Sequence, residues 1–267
     1  MIDRRAMLAM GAAAGMAGLS TKAPAEAGPA ASVTDIGVRG RPIRVVDLTH
    51  RLSRAFAFTP GRLAMEPVRG SGADAGMLMN RLCIVEHTGT HLDAPRHFDA
   101  EGKSVGDLAI ADLVVPLVVI DLRDKRAADR DARVEPEDIL RWERRHGPLP
   151  AGACVAMLSG WRPLAEVARY AELSPADRGK SPGFGEEAGA LLMERGARGI
   201  AVDTLSLDPG GEMPAYPLHR SWLRSGRWGL EAIANLDLVP ANGATLFVGA
   251  PPIADATGVP IRAIALF

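Results

Sequence analysis

The chain has 267 residues, which is enough for one sizeable domain or two small ones. It carries 31 basic and 32 acidic residues, and this even balance gives no electrostatic reason to expect nucleic acid as a partner. Aromatic residues make up only 4% of the chain, so the core must be built mainly from Ala, Val, Leu and Ile. Because no long linker divides the sequence, we expect a single α/β domain.

The first thirty residues differ in composition from the rest. Arg4-Arg5 precede an apolar run of small residues over 6–19, and residues 25–27 have the Ala-Glu-Ala pattern of a cleavage site. This arrangement resembles a twin-arginine export signal. A disordered tail or a membrane anchor are the alternatives, but the run is shorter than the ~20 residues that a membrane-spanning helix needs.

The chain is therefore predicted to have three parts. Residues 1–27 are a signal peptide, residues 28–41 a flexible segment, and residues 42–267 the mature domain. We expect this domain to be periplasmic or secreted, without contact to the membrane.

Strands alternate with helices through the middle of the chain, which predicts an α/β fold with a sheet covered by helices. The predicted strands cover residues 44–50, 81–86, 114–122, 153–159, 199–205, 244–249 and 261–266. The run over 114–122 is almost continuously apolar, which is typical of a strand buried on both faces. A helix is predicted from Pro136, with acidic residues at its start and Gly147 at its end, and another over residues 185–196.

The two cysteines, Cys83 and Cys154, each lie in an apolar run, and neither belongs to a CxxC pair. Sulfur ligation of a metal is therefore not expected. We predict two buried free thiols, and a single disulfide is the alternative in an oxidising compartment.

Half of the chain's six histidines lie in one short stretch, EHTGTHLDAPRHF, over residues 86–98. His87 and His91 are four residues apart, but β-branched threonines, Gly89 and Pro95 disfavour a helix here. We expect a strand that ends in a tight loop. His91 and Asp93 then project to the same side wherever the chain is extended.

Imidazole and carboxylate ligands without sulfur suit a zinc, manganese or iron ion, and not zinc of the structural finger type. Three ligands, His87, His91 and Asp93, leave a coordination position for water, as in catalytic sites. The alternative is an ordinary hydrogen-bonding loop. Three histidines and an aspartate in so short a stretch favour the metal site.

The stretch His87–Phe98 matches the HxGTHxDxPxHF signature of the metal-dependent cyclase family, which includes bacterial kynurenine formamidases and isatin hydrolases. The resemblance continues through VDTLSLD at 202–208, LH at 218–219, GLEAIANL at 229–236 and GAPP at 249–252. It covers roughly residues 42–267. It implies a single domain with a mixed β-sheet or closed β core flanked by helices, of the swivelling β/β/α type.

The family pattern also implies a role for each matching residue. The ligands of a first metal, Zn²⁺ or Mn²⁺, correspond to His87, His91 and Asp93, and Asp93 is able to bridge two ions. The residues that bind a second metal where one is present correspond to His97, His219 and Glu231. In relatives with a single metal, the histidines matching His97 and His219 are placed for proton transfer.

Outside the histidine cluster, the residues alone indicate less. His219 lies in a proline-bearing loop, where a solvated imidazole is the usual finding, and Glu231 is expected at the start of a short helix, where it favours the dipole. Asp203 and Ser206 follow a predicted strand, and we expect them to support the ligand imidazoles, with strand-end capping as the alternative.

These observations predict a metal-dependent hydrolase acting on a small amide, formamide, lactam or lactone. A divalent metal lowers the pKa of bound water from about 16 towards roughly 7, and His97 or His219 would move the protons. The lack of a GxSxG motif disfavours a serine esterase. The rival classes are a lyase or cyclase acting through an enolate, and a non-catalytic exported metal- or ligand-binding protein.

The resemblance bears on substrate and assembly too. Kynurenine formamidases of the family are shorter than the mature chain, and the extra length around residues 123–190, with Trp161 and Tyr170, suggests a different pocket, as in members of the isatin-hydrolase type. The family also implies a homo-oligomer, a dimer or a tetramer.

Overall fold

The structure is a computed structural model that describes residues 33–38, 40–53, 63–72, 76–163, 165–166 and 172–267. The predicted signal peptide lies outside the described residues. In the described part of the chain, no helix is long and apolar enough to cross a membrane.

The described residues form fourteen strands. These are β1 (Val33–Val38), β2 (Arg41–Asp47), β3 (Leu63–Pro67), β4 (Asn80–Ile84), β5 (His91–Asp93), β6 (Val114–Asp121), β7 (Arg133–Val134), β8 (Cys154–Leu158), β9 (Gly183–Phe184), β10 (Gly199–Val202), β11 (Trp228–Glu231), β12 (Ala244–Gly249), β13 (Gly258–Pro260) and β14 (Arg262–Leu266). Ten of them make one sheet, in the order β1-β2-β14-β12-β6-β8-β10-β11-β5-β13. The neighbours among β6, β8, β10 and β11 are parallel, and all other neighbours in this sheet are antiparallel.

The described residues form five α-helices, α1 (Ile110–Leu113), α2 (Arg123–Ala128), α3 (Pro136–His146), α4 (Glu186–Glu194) and α5 (Pro217–Arg224). Helices α3, α4 and α5 cover one face of the parallel strands. Buried apolar side chains of α3, α4 and α5, such as Trp142, Leu192 and Trp222, share one core with β6, β8 and β10. This arrangement follows from the apolar strands, whose two faces both need to be covered.

The opposite face of the sheet curls around a second core. Val46 of β2 and Val259 of β13, which lie near opposite ends of the strand order, belong to this one cluster. The residues that directly follow β2 also pair with those that directly follow β11. Thr49 and Ile233 form a β-bridge, and Ala234 N donates a hydrogen bond to Leu48 O (2.8 Å). The predicted fold, a mixed sheet or closed β core flanked by helices, is confirmed.

Most predicted elements lie where the apolar pattern put them. The strand predicted over 114–122 is β6, and the helix predicted from Pro136 is α3. Glu135 and Asp138 form a capping box at the start of α3, and Gly147, with φ 88°, ends it.

Two predicted local environments were wrong. His219 lies in helix α5, not in a loop, because Pro217 occupies the first turn, where a missing N–H costs no hydrogen bond. Glu231 is the last residue of strand β11 and does not begin a helix. Trp228 and Leu230 of β11 are both buried, which explains why a short apolar run is extended here.

The chain before the histidine cluster also differs from expectation. Within the segment predicted to be flexible, residues 33–38 form β1, a fully exposed strand paired with β2. The prediction of two buried thiols was wrong for Cys83, which is exposed, and right for Cys154, which is buried and free. Cys83 lies on β4, which pairs with β3 in a separate two-stranded ribbon and so has no second layer over it.

Candidate metal centre and active site

Strand β5 places two of the predicted ligands side by side. It lies between β11 and β13, with His91 directly opposite Glu231 and Asp93 directly opposite Gly229. His91 and Asp93 are two residues apart, so their side chains point to the same face, as predicted. His91 Nε2 lies 3.3 Å from Asp93 Oδ1 and 3.4 Å from Glu231 Oε2.

His87 and His97 approach Asp93 from the segments on either side of β5. His87 Nδ1 lies 2.7 Å from Asp93 Oδ1. His97 ends the short 3₁₀ turn Pro95–His97, and its ring stacks on that of His87 with centroids 3.9 Å apart. Pro95 therefore begins the turn that brings the third histidine of the stretch back over the first.

Helix α5 brings His219 into the same group from more than a hundred residues away. Its Nε2 lies 3.1 Å from Glu231 Oε1 and 3.5 Å from Asp93 Oδ2. Its Nδ1 makes a short hydrogen bond to Asp208. The carboxylate of Asp208 also accepts the backbone N–H groups of Leu218 (2.7 Å) and His219 (3.2 Å), so one side chain holds both the start of the helix and its imidazole.

The buried carboxylates control the protonation of the histidines around them. Burial lowers the pKa of His91, but the interactions with Asp93 and Glu231 outweigh it and raise this pKa to about 9. Burial likewise lowers the pKa of His219, but Asp208, Asp93 and Glu231 raise it well above its usual value. Burial would raise the pKa of Asp93, yet hydrogen bonds from its histidine neighbours hold it well below the usual range. The buried carboxylates therefore favour positive charge at this site, on the imidazoles or on a bound cation.

His97 differs from the other two histidines. It is half-buried, and no side chain of the described residues hydrogen-bonds to its imidazole. Burial lowers its pKa to about 4, so the ring is neutral at pH 7 and its lone pair is available.

The donor atoms fit a divalent metal. They fall into two groups, each with ligand atoms within 4.8 Å of one another: His87, Asp93 and His97, and His91, Asp93 and Glu231. His91 Nε2 is fully buried and has no hydrogen-bond partner among the residues that the structure describes. A buried nitrogen of this kind, facing two carboxylates, is what a metal ligand requires.

The candidate ligand atoms that lie closest together group His87 with His97 and His91 with Glu231, and Asp93 belongs to both groups. The strand register explains the second group, because it sets Glu231 directly opposite His91. The division of the ligands between a first and a second metal stays a prediction from the family resemblance.

Asp203 and Ser206 do not contact the candidate ligands through their side chains. Asp203 accepts hydrogen bonds from Ser159 N (2.9 Å), Ser159 Oγ (2.5 Å) and Gly160 N (2.8 Å), so it holds the end of β8. Burial raises its pKa to about 6. Ser206 Oγ is buried without a partner among the described residues. The residues that do contact candidate ligands are Asp208, which hydrogen-bonds to His219, and Thr257, which hydrogen-bonds to His87. Neither was predicted from the sequence, even though Asp208 is the last residue of the VDTLSLD segment.

A cavity of about 280 Å³ lies beside the segment that carries Ser206. Trp161, Leu205 and Met213 form apolar parts of its wall. Trp161 belongs to the region that the sequence suggested as a pocket, and Arg130 lies over its ring, 5.6 Å from the centroid. Among the described residues, none of the six candidate metal ligands lines this cavity.

Replacing Asp208 by Asn should weaken the hold on His219. The oxygen of Asn can still accept the hydrogen bond from Leu218 N–H. Its NH₂ group, however, would face the N–H donors of His219, and two donors cannot hydrogen-bond to each other. We expect kcat to fall about 10- to 100-fold with little change in KM, the usual cost of removing a residue that orients a ligand. Steady-state kinetics on the substrate found by screening would measure this, with the exposed Asp237→Asn as control. An unchanged kcat would contradict the role given to Asp208.

Comparison with known proteins shows which family the chain resembles. Residues 46–209 match the family model described as "Putative cyclase". The isatin hydrolase of Roseibium aggregatum is 36% identical over 196 residues, which is 70% of this chain and 74% of that protein. A kynurenine formamidase of Bacillus cereus is 30% identical over 222 residues, 82% of this chain and 95% of that protein.

Solved structures agree as well. Isatin hydrolase A from Ralstonia solanacearum superposes with a TM-score of 0.74 at 32% identity, covering 84% of this chain and 92% of that one. The relatives are named as hydrolases and formamidases, which confirms the predicted class, an enzyme that hydrolyses C–N bonds other than peptide bonds. Since the family model matches more than half of its residues, the chain belongs to the cyclase family.

Proposed function

We propose that this protein is a metal-dependent hydrolase that opens a small amide-type carbonyl compound, with a lactam of the isatin type as its first candidate substrate. The observation that carries the proposal is the cluster of three histidines and two carboxylates in which the buried Asp93 belongs to two ligand groups. The higher identity to an isatin hydrolase, 36% against 30% for the formamidase, supports a lactam over a formamide.

The ligand set proposed for one or two Zn²⁺ or Mn²⁺ ions consists of the six clustered residues, His87, His91, Asp93, His97, His219 and Glu231. When bound, a divalent ion supplies a water of lowered pKa and polarises the substrate carbonyl. Where only one ion is bound, His97 and His219 would not ligate it and could move protons instead. His97 is neutral and accepts no hydrogen bond from a side chain of the described residues, so its imidazole is suited to accept a proton. His219 holds a proton more tightly through Asp208 and is suited to deliver one to the leaving nitrogen.

The decisive experiment screens metal-reconstituted enzyme against isatin, N-formylkynurenine and simple lactones, with elemental analysis alongside. Turnover in ¹⁸O-labelled water separates the reaction classes. Incorporation of one labelled oxygen supports hydrolysis, whereas product without label would remove the hydrolase in favour of a lyase or cyclase. Full metal loading without turnover on any substrate would favour a non-catalytic binding protein.

We also infer that the enzyme acts after export, because Arg4-Arg5 and the following apolar run have the pattern of a twin-arginine signal. Twin-arginine export moves folded proteins, so the metal would be loaded before transport. Fractionation of cells that express the full chain or a chain lacking residues 1–27 tests this. Equal amounts in the periplasm would refute the signal.

We further propose that the chain forms a homo-oligomer through its two-stranded ribbon, β3 and β4 with the turn between them. A lone hairpin is at best marginally stable, and large apolar side chains rarely remain uncovered in such number. The exposed apolar residues in and next to the ribbon are Met65, Met77, Leu78, Met79, Leu82 and Val85. Because β4 leads within three residues to His87, a second copy bound there would lie close to the metal centre.

Charged residues on the ribbon should separate the subunits. In Leu78→Glu/Leu82→Glu we expect the dissociation constant of the oligomer to rise at least about 10- to 100-fold, since each lost Leu burial costs roughly 1.5–3 kcal/mol. Size-exclusion chromatography with light scattering measures the mass. Ile110→Glu is the matched control, because Ile110 is 79% exposed and Leu78 80%. A mutant mass equal to that of the wild-type oligomer would contradict the proposal.

A further inference from the structure

The ring of His87 is held on four sides. Its Nδ1 faces Asp93 Oδ1 at 2.7 Å, and its Nε2 faces Thr257 Oγ1 at 3.0 Å. The ring of His97 stacks on one face. At Gly258, an added Cβ would lie 2.4 Å from His87 Cε1, so only glycine allows β13 to pass this close. The ring therefore cannot exchange its two nitrogens by rotating without breaking these contacts.

The hydrogen bonds of Thr257 have a defined direction. Glu86 Oε2 accepts from the backbone N–H of Thr257 (3.3 Å) and lies 2.5 Å from its Oγ1. A threonine hydroxyl has one hydrogen, and Thr257 donates it in a hydrogen bond to the carboxylate of Glu86. Thr257 Oγ1 can then only accept from His87, so Nε2 of His87 must carry a hydrogen.

The two buried histidines, His91 and His219, have the opposite arrangement. His91 Nδ1 lies 2.9 Å from the carbonyl oxygen of Gly89, which is an acceptor only, so His91 carries its hydrogen on Nδ1. His219 Nδ1 likewise faces the carboxylate of Asp208. In both residues Nε2 points towards Glu231. The nitrogen opposite a fixed N–H is the one that binds metal.

We propose that Glu86 and Thr257 are positioning residues that fix His87 as the Nε2–H tautomer, so that it binds metal through Nδ1 whereas His91 and His219 face the site with Nε2. This inference rests on the proposed metal site. With its hydrogen on Nε2, a neutral His87 would set the lone pair of Nδ1 against a carboxylate oxygen 2.7 Å away. A metal ion shared by His87 and Asp93 removes that repulsion.

The first test observes the tautomer directly. Long-range ¹H–¹⁵N NMR of histidine-labelled protein, both metal-free and loaded with diamagnetic Zn²⁺, assigns the hydrogen of each ring. In the zinc-loaded wild type we expect the Nε2–H pattern for His87 and the Nδ1–H pattern for His91. A Nδ1–H pattern for His87 in the loaded protein overturns the proposal.

The second test measures zinc affinity by competition with a chromogenic chelator. Thr257→Val keeps the shape of the side chain and removes the hydroxyl, and we expect the affinity to fall about 10- to 100-fold. Thr257→Ser should restore it. The control is Thr88→Val, because Thr88 is buried beside His87 and its Oγ1 has no partner among the described residues.

The outcomes separate the two proposals. If the wild type takes up no zinc, the proposed metal-dependent function fails, and the positioning role that rests on it fails with it. If the wild type binds zinc and Thr257→Val binds it equally well, the positioning role is overturned. If circular dichroism shows that Thr257→Val folds poorly, the proposal is decided by two other results. These are the zinc affinity of Thr257→Ser and the His87 tautomer in the zinc-loaded wild type.

Discussion

Replacement of Asp93 by Asn is expected to abolish metal binding and activity together. The Asp93 carboxylate is the one group shared by both sets of ligand atoms, and three imidazoles, those of His87, His91 and His219, face it. Asn has nearly the same shape but no charge, and one of its two oxygens becomes an N–H donor. We expect kcat/KM to fall on the order of 10³-fold or more, since a bound metal contributes several kcal/mol to the barrier.

This expectation is measured by elemental analysis and steady-state kinetics on the same preparation. Asp255→Asn is the matched control, because its carboxylate is 86% exposed and pairs with Arg96 at the surface, an interaction worth little. Metal content near that of the wild type in Asp93→Asn would show that the ion lies elsewhere. Loss of metal in the Asp255→Asn control would point to a general folding defect.

Replacement of His97 by Gln is expected to separate metal binding from proton transfer. The group formed by His91, Asp93 and Glu231 does not include His97, so at least one ion should remain bound. Gln can ligate weakly but cannot accept a proton at neutral pH. We therefore expect kcat to fall about 10²- to 10⁴-fold, the range for loss of a general base.

The metal content of His97→Gln also distinguishes the two forms of the site. A fall from two ions to one per chain means that His97 holds a second ion, and an unchanged content with low kcat means that it moves protons. The exposed His146→Gln is the control. Complete loss of metal, or a wild-type kcat, would contradict the role given to His97.

The sequence was sufficient for much of the fold because the signals concerned are local. The apolar run of β6 and the capped, amphipathic α3 lie where the pattern predicted them, since strand burial and helix capping depend on residues that are neighbours in the chain. The segments around Cys83 and Glu231 were misjudged for the opposite reason. Each is a short apolar run whose environment depends on which distant strand pairs with it.

The sequence by itself determined the chemistry. Three histidines and an aspartate within eleven residues predict a metal site without sulfur, and the HxGTHxDxPxHF pattern identifies the family. The side chains that give these ligands their function come from elsewhere in the chain. Glu231 meets His91 through strand register, Asp208 meets His219 at a helix start, and Thr257 meets His87 across 170 residues.

Only the tertiary structure shows which candidate ligand atoms lie together and which hydrogen-bond partner each imidazole nitrogen faces. A tautomer depends on where the hydrogen-bond acceptor of the second nitrogen lies, and that acceptor is placed by the packing of separate strands. Gly258 is a further example. From the sequence alone, a glycine in a short strand indicates no role, whereas the structure shows that a side chain at this position would collide with the ring of His87. Ligand identity is a property of residue type, whereas ligand orientation is a property of the fold.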